Sequence, residues 1–250
     1  MKTTKLILAV LLVLQTGVVF AQKAEPIQHF VREDRDSAWY ATQVKAWERE
    51  VRREPESETA WLNLFAATRY SCMSNGEDYS PLVGLLERMR RHIPGSFTFH
   101  YCRARSWTVP EKEREDMEKC LELEPDNVEA YDTYIGYLWR TGQFGRMYEV
   151  GRRYFDSGWF SPNLLQYAYN QLAGLPDGAI FIGNGDSELI PKIVLQGGKD
   201  VHRDKVIVPL SFLNSPAYVD SLCGQLGIES PDVPERPADW NAAADSVVRH

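Results

Sequence analysis

The segment Asn184-Gly185-Asp186-Ser187-Glu188 holds two carboxylates two residues apart, and Ser211 and Asn214 follow a second apolar run. A pair of carboxylates flanking a glycosidic bond can act as general acid and base, or as acid and nucleophile. Short carboxylate, amide and hydroxyl side chains that converge on one point can instead hydrogen-bond sugar hydroxyls or a peptide backbone. Asp186 and Glu188 sit near one helix start, and no second acidic component is obvious across the crevice. Binding is therefore the preferred reading, with Asn184, Asp186, Glu188, Ser211 and Asn214 as the candidate ligand-binding set and no catalytic residue assigned. The alternative is a hydrolase or transferase acting on glycosides through Asp186 and Glu188. A purely structural reading has Asp186 and Asn214 capping two helices and closing turns.

Other chemistries find no support in the residues. Gly183-x-Gly185 after an apolar run echoes a dinucleotide loop, but Glu188 stands where a third glycine belongs. No phosphate-binding loop, nucleophile elbow or His-Glu-x-x-His zinc motif occurs. The histidines (His29, His92, His100, His202, His250) are scattered, and His100-Tyr101-Cys102 reads as a packed helix surface rather than a zinc site. No metal and no cofactor are expected.

The elements that must position the polar set can be read from punctuation and pattern. Leu175-Pro176-Asp177-Gly178 is a turn, and Ala179 to Gly183 is a short apolar run of buried-strand type. Ser187 to Gln196 reads as a helix capped by Asp186 or Ser187 and stopped by Gly197-Gly198. Lys205 to Leu210 is a second strand, and Ser215 to Leu226 a second helix with Pro216 in its first turn. The expected unit is a β-α-β-α subdomain over residues 178–228, its strands parallel. Two strands make too small a sheet to stand alone, so the unit is expected to pack against the preceding helices. In open α/β units, ligands bind beyond the carboxyl ends of the strands, where Asn184, Asp186, Ser211 and Asn214 fall.

This segment resembles the soluble C-terminal region of the protein O-mannosyltransferase-like family of membrane proteins. That family carries a strand ending in Gly-Asp-Asn-Asp, then a Pro, then Leu-Gln, and a second strand ending in Leu-Ser-Leu-Leu-Asn-Thr. The resemblance covers about residues 178–226 and rests on Gly185, Asp186, Pro191, Leu195, Gln196, Val201, Asp204, Val208, Leu210, Ser211, Leu213, Asn214, Tyr218, Asp220 and Leu222 in one frame. Glu188 stands for the family's second Asp, Ser187 for its Asn, and Ile193-Val194 for a Trp-Tyr pair. The family's sugar transfer belongs to its membrane-embedded part, so the resemblance implies an α/β fold near a glycan-related process and not glycosyl transfer.

From Ser37 to Leu172, apolar residues recur at steps of three and four, as in Tyr40, Val44, Trp47 and Val51 or Trp61, Leu64, Phe65, Thr68 and Cys72. This periodicity predicts about eight amphipathic helices. Pro55, Pro94 and Pro125 are spaced by 39 and 31 residues, around the roughly 34 of a tetratricopeptide repeat. Glu124-Pro125-Asp126-Asn127 followed by Tyr131, Tyr134, Ile135 and Leu138 resembles the opening of such a repeat. Met147 replaces the usual small residue, and Gly151 stands where a large one is usual. The fold class expected is mostly α, a degenerate tetratricopeptide-like solenoid over residues 37–174 closed by the small α/β subdomain. Stacked repeats leave a concave face that binds a protein or peptide.

Residues 1–21 read as a secretory leader: Lys2 and Lys5, an apolar run from Leu6 to Leu14, and Val19-x-Ala21 as the cleavage site. No cysteine stands at the cleavage point, so no lipid anchor is expected, and no later run is long and apolar enough to span a bilayer. Residues 22–36 read as linker and 229–250 as a proline-rich tail with a short terminal helix. The whole chain of 250 residues carries a net charge of −7 and lacks a basic block, which excludes nucleic acid as a partner. The expected protein is exported, periplasmic or extracellular and soluble, and its partner is a protein, a peptide or a glycan. Export permits disulfides among Cys72, Cys102, Cys120 and Cys223. Cys102 and Cys120, on neighbouring helices, are the candidate pair; otherwise each cysteine is a small buried apolar residue.

Overall fold

A computed structural model describes residues 23–28 and 33–231; residues 1–21, read from the sequence as a leader, and most of the tail read as proline-rich lie outside them. The protein is mostly helical, with one two-stranded parallel sheet. Its described part divides into two compact units at the Pro125–Asp126 bond. The division therefore falls inside the helical region rather than at the composition change near Leu175. The physical reason is that the last helices bury their apolar faces against the α/β elements, as shown below.

The first unit contains α1 (Ser37–Arg53), α2 (Glu58–Asn75), α3 (Ser80–His92), α4 (Phe97–Ser106), a 3-10 turn (Pro110–Lys112) and α5 (Glu113–Leu123). Helix starts follow the short polar residues that accept from the first free amides. Asp36 accepts from the Trp39 amide at 2.7 Å, Ser57 from Ala60 at 3.3 Å, and Ser96 from Phe99 at 3.1 Å. Gly76 ends α2 at φ 66°, a left-handed conformation that suits glycine. The core is built on Tyr40, Trp61, Leu64, Phe65, Leu82, Met89, Tyr101 and Met117, each 2% exposed or less.

Polar pairs tie these helices together. Arg88 of α3 grips Glu48 of α1 through two bonds of 2.6 and 2.9 Å. Asp116 of α5, fully buried, accepts from Arg103 Nε and Nη2 at 2.8 and 2.6 Å, and lies 2.7 Å from His100 Nδ1. A buried charge is tolerable when it is paired and hydrogen-bonded in this way. Residues 23–28, read from the sequence as linker, instead lie against α1 and α2. Ile27 donates its amide to Asn63 Oδ1 at 2.7 Å, Glu25 donates to Gln43 Oε1 at 2.9 Å, and Trp47 Nε1 donates to the Glu25 carbonyl at 3.0 Å.

The four cysteines, among them the candidate pair Cys102 and Cys120, are buried free thiols in the structure. The Cys120 thiol donates to the Phe97 carbonyl at 3.8 Å. Burial raises its pKa, because an apolar surrounding disfavours the thiolate.

The second unit contains α6 (Glu129–Arg140), α7 (Phe144–Asp156), α8 (Pro162–Ala173), β1 (Ile180–Gly183), α9 (Asp186–Lys199), β2 (Val206–Pro209), a 3-10 turn (Leu210–Asn214) and α10 (Pro216–Leu226). The strands pair in parallel with Ile180 opposite Val206 and Gly183 opposite Pro209. Helix α9 packs on α7, α8 and β2, which is how a sheet too small to bury its own face acquires a core. Leu189, Ile190, Ile193, Val194 and Leu195 are all buried along it. In α8, by contrast, only Ala168 and Leu172 are buried, and Leu164 is exposed.

Candidate functional site

The parallel register puts the carboxyl ends of both strands at one end of the sheet. Asn184 follows β1 directly and is exposed. Asp186 and Glu188, both exposed, occupy the first turn of α9. Ser211 and Asn214 belong to the 3-10 turn that follows β2, and both are exposed. The two groups of residues leave the same sheet end, but among the described residues no hydrogen bond joins one group to the other.

The capping roles differ from those the sequence suggests. Gly185, not Asp186 or Ser187, occupies the N-cap of α9, and no side chain accepts from its first turn. The reason is local: Gly185 is the last residue in extended conformation, at φ −137° and ψ 141°, so Asp186 is already helical. Its carboxylate gains from the helix dipole alone. For α10 the cap is Ser215, which accepts from the Tyr218 amide at 3.4 Å. Asn214 instead closes its own turn, Nδ2 donating to the Ser211 carbonyl at 3.2 Å.

Gly183 lets the start of α9 close over the strand. A Cβ there would lie 2.9 Å from Glu188 Oε2 and 3.2 Å from Leu189 Cγ. Beneath this end lies Lys192, a residue that sequence reasoning missed. It is 1% exposed, its Nζ donates to the Glu188 carbonyl at 2.9 Å, and the ammonium stands 4.4 Å from the centre of the Phe181 ring. Burial lowers its pKa, and the Glu188 charge partly offsets this. The signal available is a lysine inside the otherwise apolar stretch Leu189 to Leu195.

Several residues that carry the family resemblance have structural work in this fold. Gln196, fully buried, donates from Nε2 to the carbonyls of His202 and Lys205 at 2.7 and 2.9 Å, and its Oε1 accepts from the Tyr148 hydroxyl at 3.3 Å. It thereby fixes the connection between α9 and β2. Asp204 Oδ2 accepts from the Gly178 amide at 3.1 Å and from Lys205 Nζ at 2.6 Å, joining the starts of the two strands. These contacts hold the sheet end in shape without facing it.

The arrangement offers acceptors and donors on an open surface. Two carboxylates on one helical turn cannot flank a scissile bond from opposite sides, as acid–base cleavage of a glycoside requires. Among the described residues no three His, Cys, Asp or Glu side chains gather as metal ligands would. No helix among them is long and apolar enough to cross a membrane. No protein-family model, curated protein or solved structure matches the chain.

Proposed function

We propose that the chain is an exported, soluble binding or scaffold protein that holds a protein or a glycan-bearing partner in the cell envelope. In this reading, tetratricopeptide-like repeats carry a β-α-β-α segment whose sheet end, akin to that of the O-mannosyltransferase-like family, meets the partner. The repeat reading is supported by α2, which packs on its neighbour α3 and also on α4, two helices along. Stacked helix pairs make this pattern of contacts. Export is supported by the leader-like residues 1–21.

The observation that carries the reading is the unused surface at the sheet end. Among the described residues, the side chains of Asn184, Asp186, Glu188 and Ser211 hydrogen-bond no other protein group. Beside them Ile180 and Ile182, on the strand face opposite Phe181, are 47% and 55% exposed. An apolar strip next to unpaired polar groups is the composition of a binding surface.

The test is a pull-down from envelope extracts with the mature chain, run beside Asp186→Ala and Ile182→Asp. The same partner is expected to be lost in both variants, with stability changed by under about 0.5 kcal/mol, since Asp186 caps nothing and both sites are exposed. An unchanged partner profile in both variants would remove this surface from the proposal.

A further inference from the structure

Arg69 on α2 is 7% exposed, yet no carboxylate lies within ion-pairing distance of it among the described residues. Its Nε is closed to solvent and has no hydrogen-bond partner. What surrounds the guanidinium is aromatic: its carbon stands 4.8 Å from the centre of the Trp107 ring, 5.8 Å from Tyr79 and 5.9 Å from Tyr70. The nearby charge is a second cation, Arg105, which lies over the Tyr101 ring and donates to its hydroxyl at 3.3 Å. Burial first, and Arg105 second, lower the pKa of Arg69.

The rest of this unit shows how the chain treats arginines that leave the surface. Arg88 receives Glu48 and Arg103 receives Asp116, each through two hydrogen bonds. Arg69 is more buried than either and receives no anion. Removing a charge from water is costly unless an opposite charge and hydrogen bonds compensate it. Ring faces compensate in part, but they leave Nε without a hydrogen-bond partner. A planar guanidinium with free donors matches the two oxygens of a carboxylate.

The surface beside it has a second character. Trp107 ends α4 at φ 58°, a left-handed conformation rare for a bulky residue, and is 60% exposed. Tyr79, in the turn before α3, meets it edge to face with centroids 5.8 Å apart. Non-glycine residues held in this region of backbone space concentrate at binding sites. The exposed indole offers a flat apolar platform next to a buried cation. No strand edge adjoins it to pair with a peptide backbone, since every element of this unit is helical.

We infer that Arg69, Trp107 and Tyr79 form a binding site for an acidic sugar of the hexuronate class, the carboxylate taken by Arg69 and the pyranose ring laid on Trp107. The site is built wholly from the first unit and does not depend on the surface around Asp186.

Calorimetry on the full mature chain with methyl glucuronide tests this, with methyl glucoside, inorganic phosphate and N-acetylglutamate amide as comparison probes. Saturable binding of the glucuronide is expected, at least tenfold tighter than any of the other three. Arg69→Met should abolish it while leaving the melting temperature of the unliganded protein unchanged or higher, because an uncompensated buried charge is removed. Trp107→Gly, which relieves the left-handed backbone, should weaken glucuronide binding at least tenfold and keep the fold. No saturable glucuronide binding, equal or tighter binding of phosphate or of the glutamate derivative, or full binding in Arg69→Met would each overturn the assignment. A lower melting temperature in Arg69→Met together with no glucuronide binding by the wild type would identify Arg69 as an aromatic-packed structural cation instead.

Discussion

Gly197 of α9 rests directly on the backbone of α7 at Gly151. A Cβ on Gly197 would lie 3.0 Å from the Gly151 carbonyl carbon, 2.6 Å from the Tyr148 carbonyl oxygen and 2.8 Å from the Arg152 nitrogen. A Cβ on Gly151 would in turn lie 3.2 Å from the Ile193 carbonyl oxygen. The two helices therefore cross with no side chain between them, and this crossing seats the α/β elements on the preceding helices. Gly151, which departs from the repeat pattern in sequence, is explained by the helix laid across it.

Gly197→Ala should destabilise the protein strongly, because the atoms in the way are backbone and cannot rotate aside. Overpacking of a tight site costs about 1–3 kcal/mol, and this one belongs at the upper end. Gly84→Ala is the control. It lies inside α3 with open space around its Cβ direction, so the higher helix propensity of alanine should stabilise by about 0.5–1 kcal/mol. Urea unfolding of both variants against the wild type measures the difference, and a neutral Gly197→Ala would show that the crossing yields easily.

Much of the local structure was legible because its causes are local. The helices follow the apolar steps of three and four, and the two apolar runs at Ile180 and Val206 form the parallel pair expected of them. What escaped sequence reading depends on residues far apart in the chain. The Gly151–Gly197 crossing joins helices about forty residues apart, and no local pattern distinguishes a crossing glycine from a helix stop. Gly197-Gly198 read as a stop, whereas both residues lie within α9. At the sheet end the error was one of register: moving the helix start by one residue releases Asp186 from capping and leaves its carboxylate exposed. Lys192 gives no decisive signal in the sequence because a lone lysine within an apolar helix ordinarily reaches solvent with its ammonium.

The thiols provide a second check on the packing. All four cysteines are buried and unbridged, and the raised pKa of Cys120 follows from burial, with the charges of Asp116 and Glu124 adding to it. The reactive species is the thiolate, so a buried, high-pKa cysteine reacts slowly. Ellman's reagent should label essentially none of the four in the native protein and all four in denaturant without reductant. Recovery of only two in denaturant would show that Cys102 and Cys120, or another pair, are bridged in the isolated protein.

Lys192 makes stability depend on pH in a direction that can be worked out. Its ordinary pKa is 10.5, and burial holds the folded value below that. Between the folded and unfolded values the unfolded chain binds the extra proton, so stability rises with pH across that window. Below the folded value the cost of the buried ammonium is present in full, and above 10.5 it has vanished. Lys192→Met removes the charge but keeps an unbranched apolar side chain on α9 against Phe181. Replacing a buried ion pair by hydrophobic residues is often neutral or stabilising by about 1–4 kcal/mol, and removing a lone buried ammonium has the same sign. Because Nζ keeps its bond to the Glu188 carbonyl and its contact with the ring, the gain at pH 7 should fall near the low end, about 1 kcal/mol. The gap between variant and wild type should then narrow as pH approaches 10.5. Taking the difference between the two proteins cancels the buried tyrosines, such as Tyr218, whose pKa is pushed up to about 12 and which affect both alike. Urea titrations at several pH values from 7 to 10 measure it. A variant less stable than the wild type by the same amount at every pH would show that the carbonyl bond and the ring contact outweigh the burial of the charge.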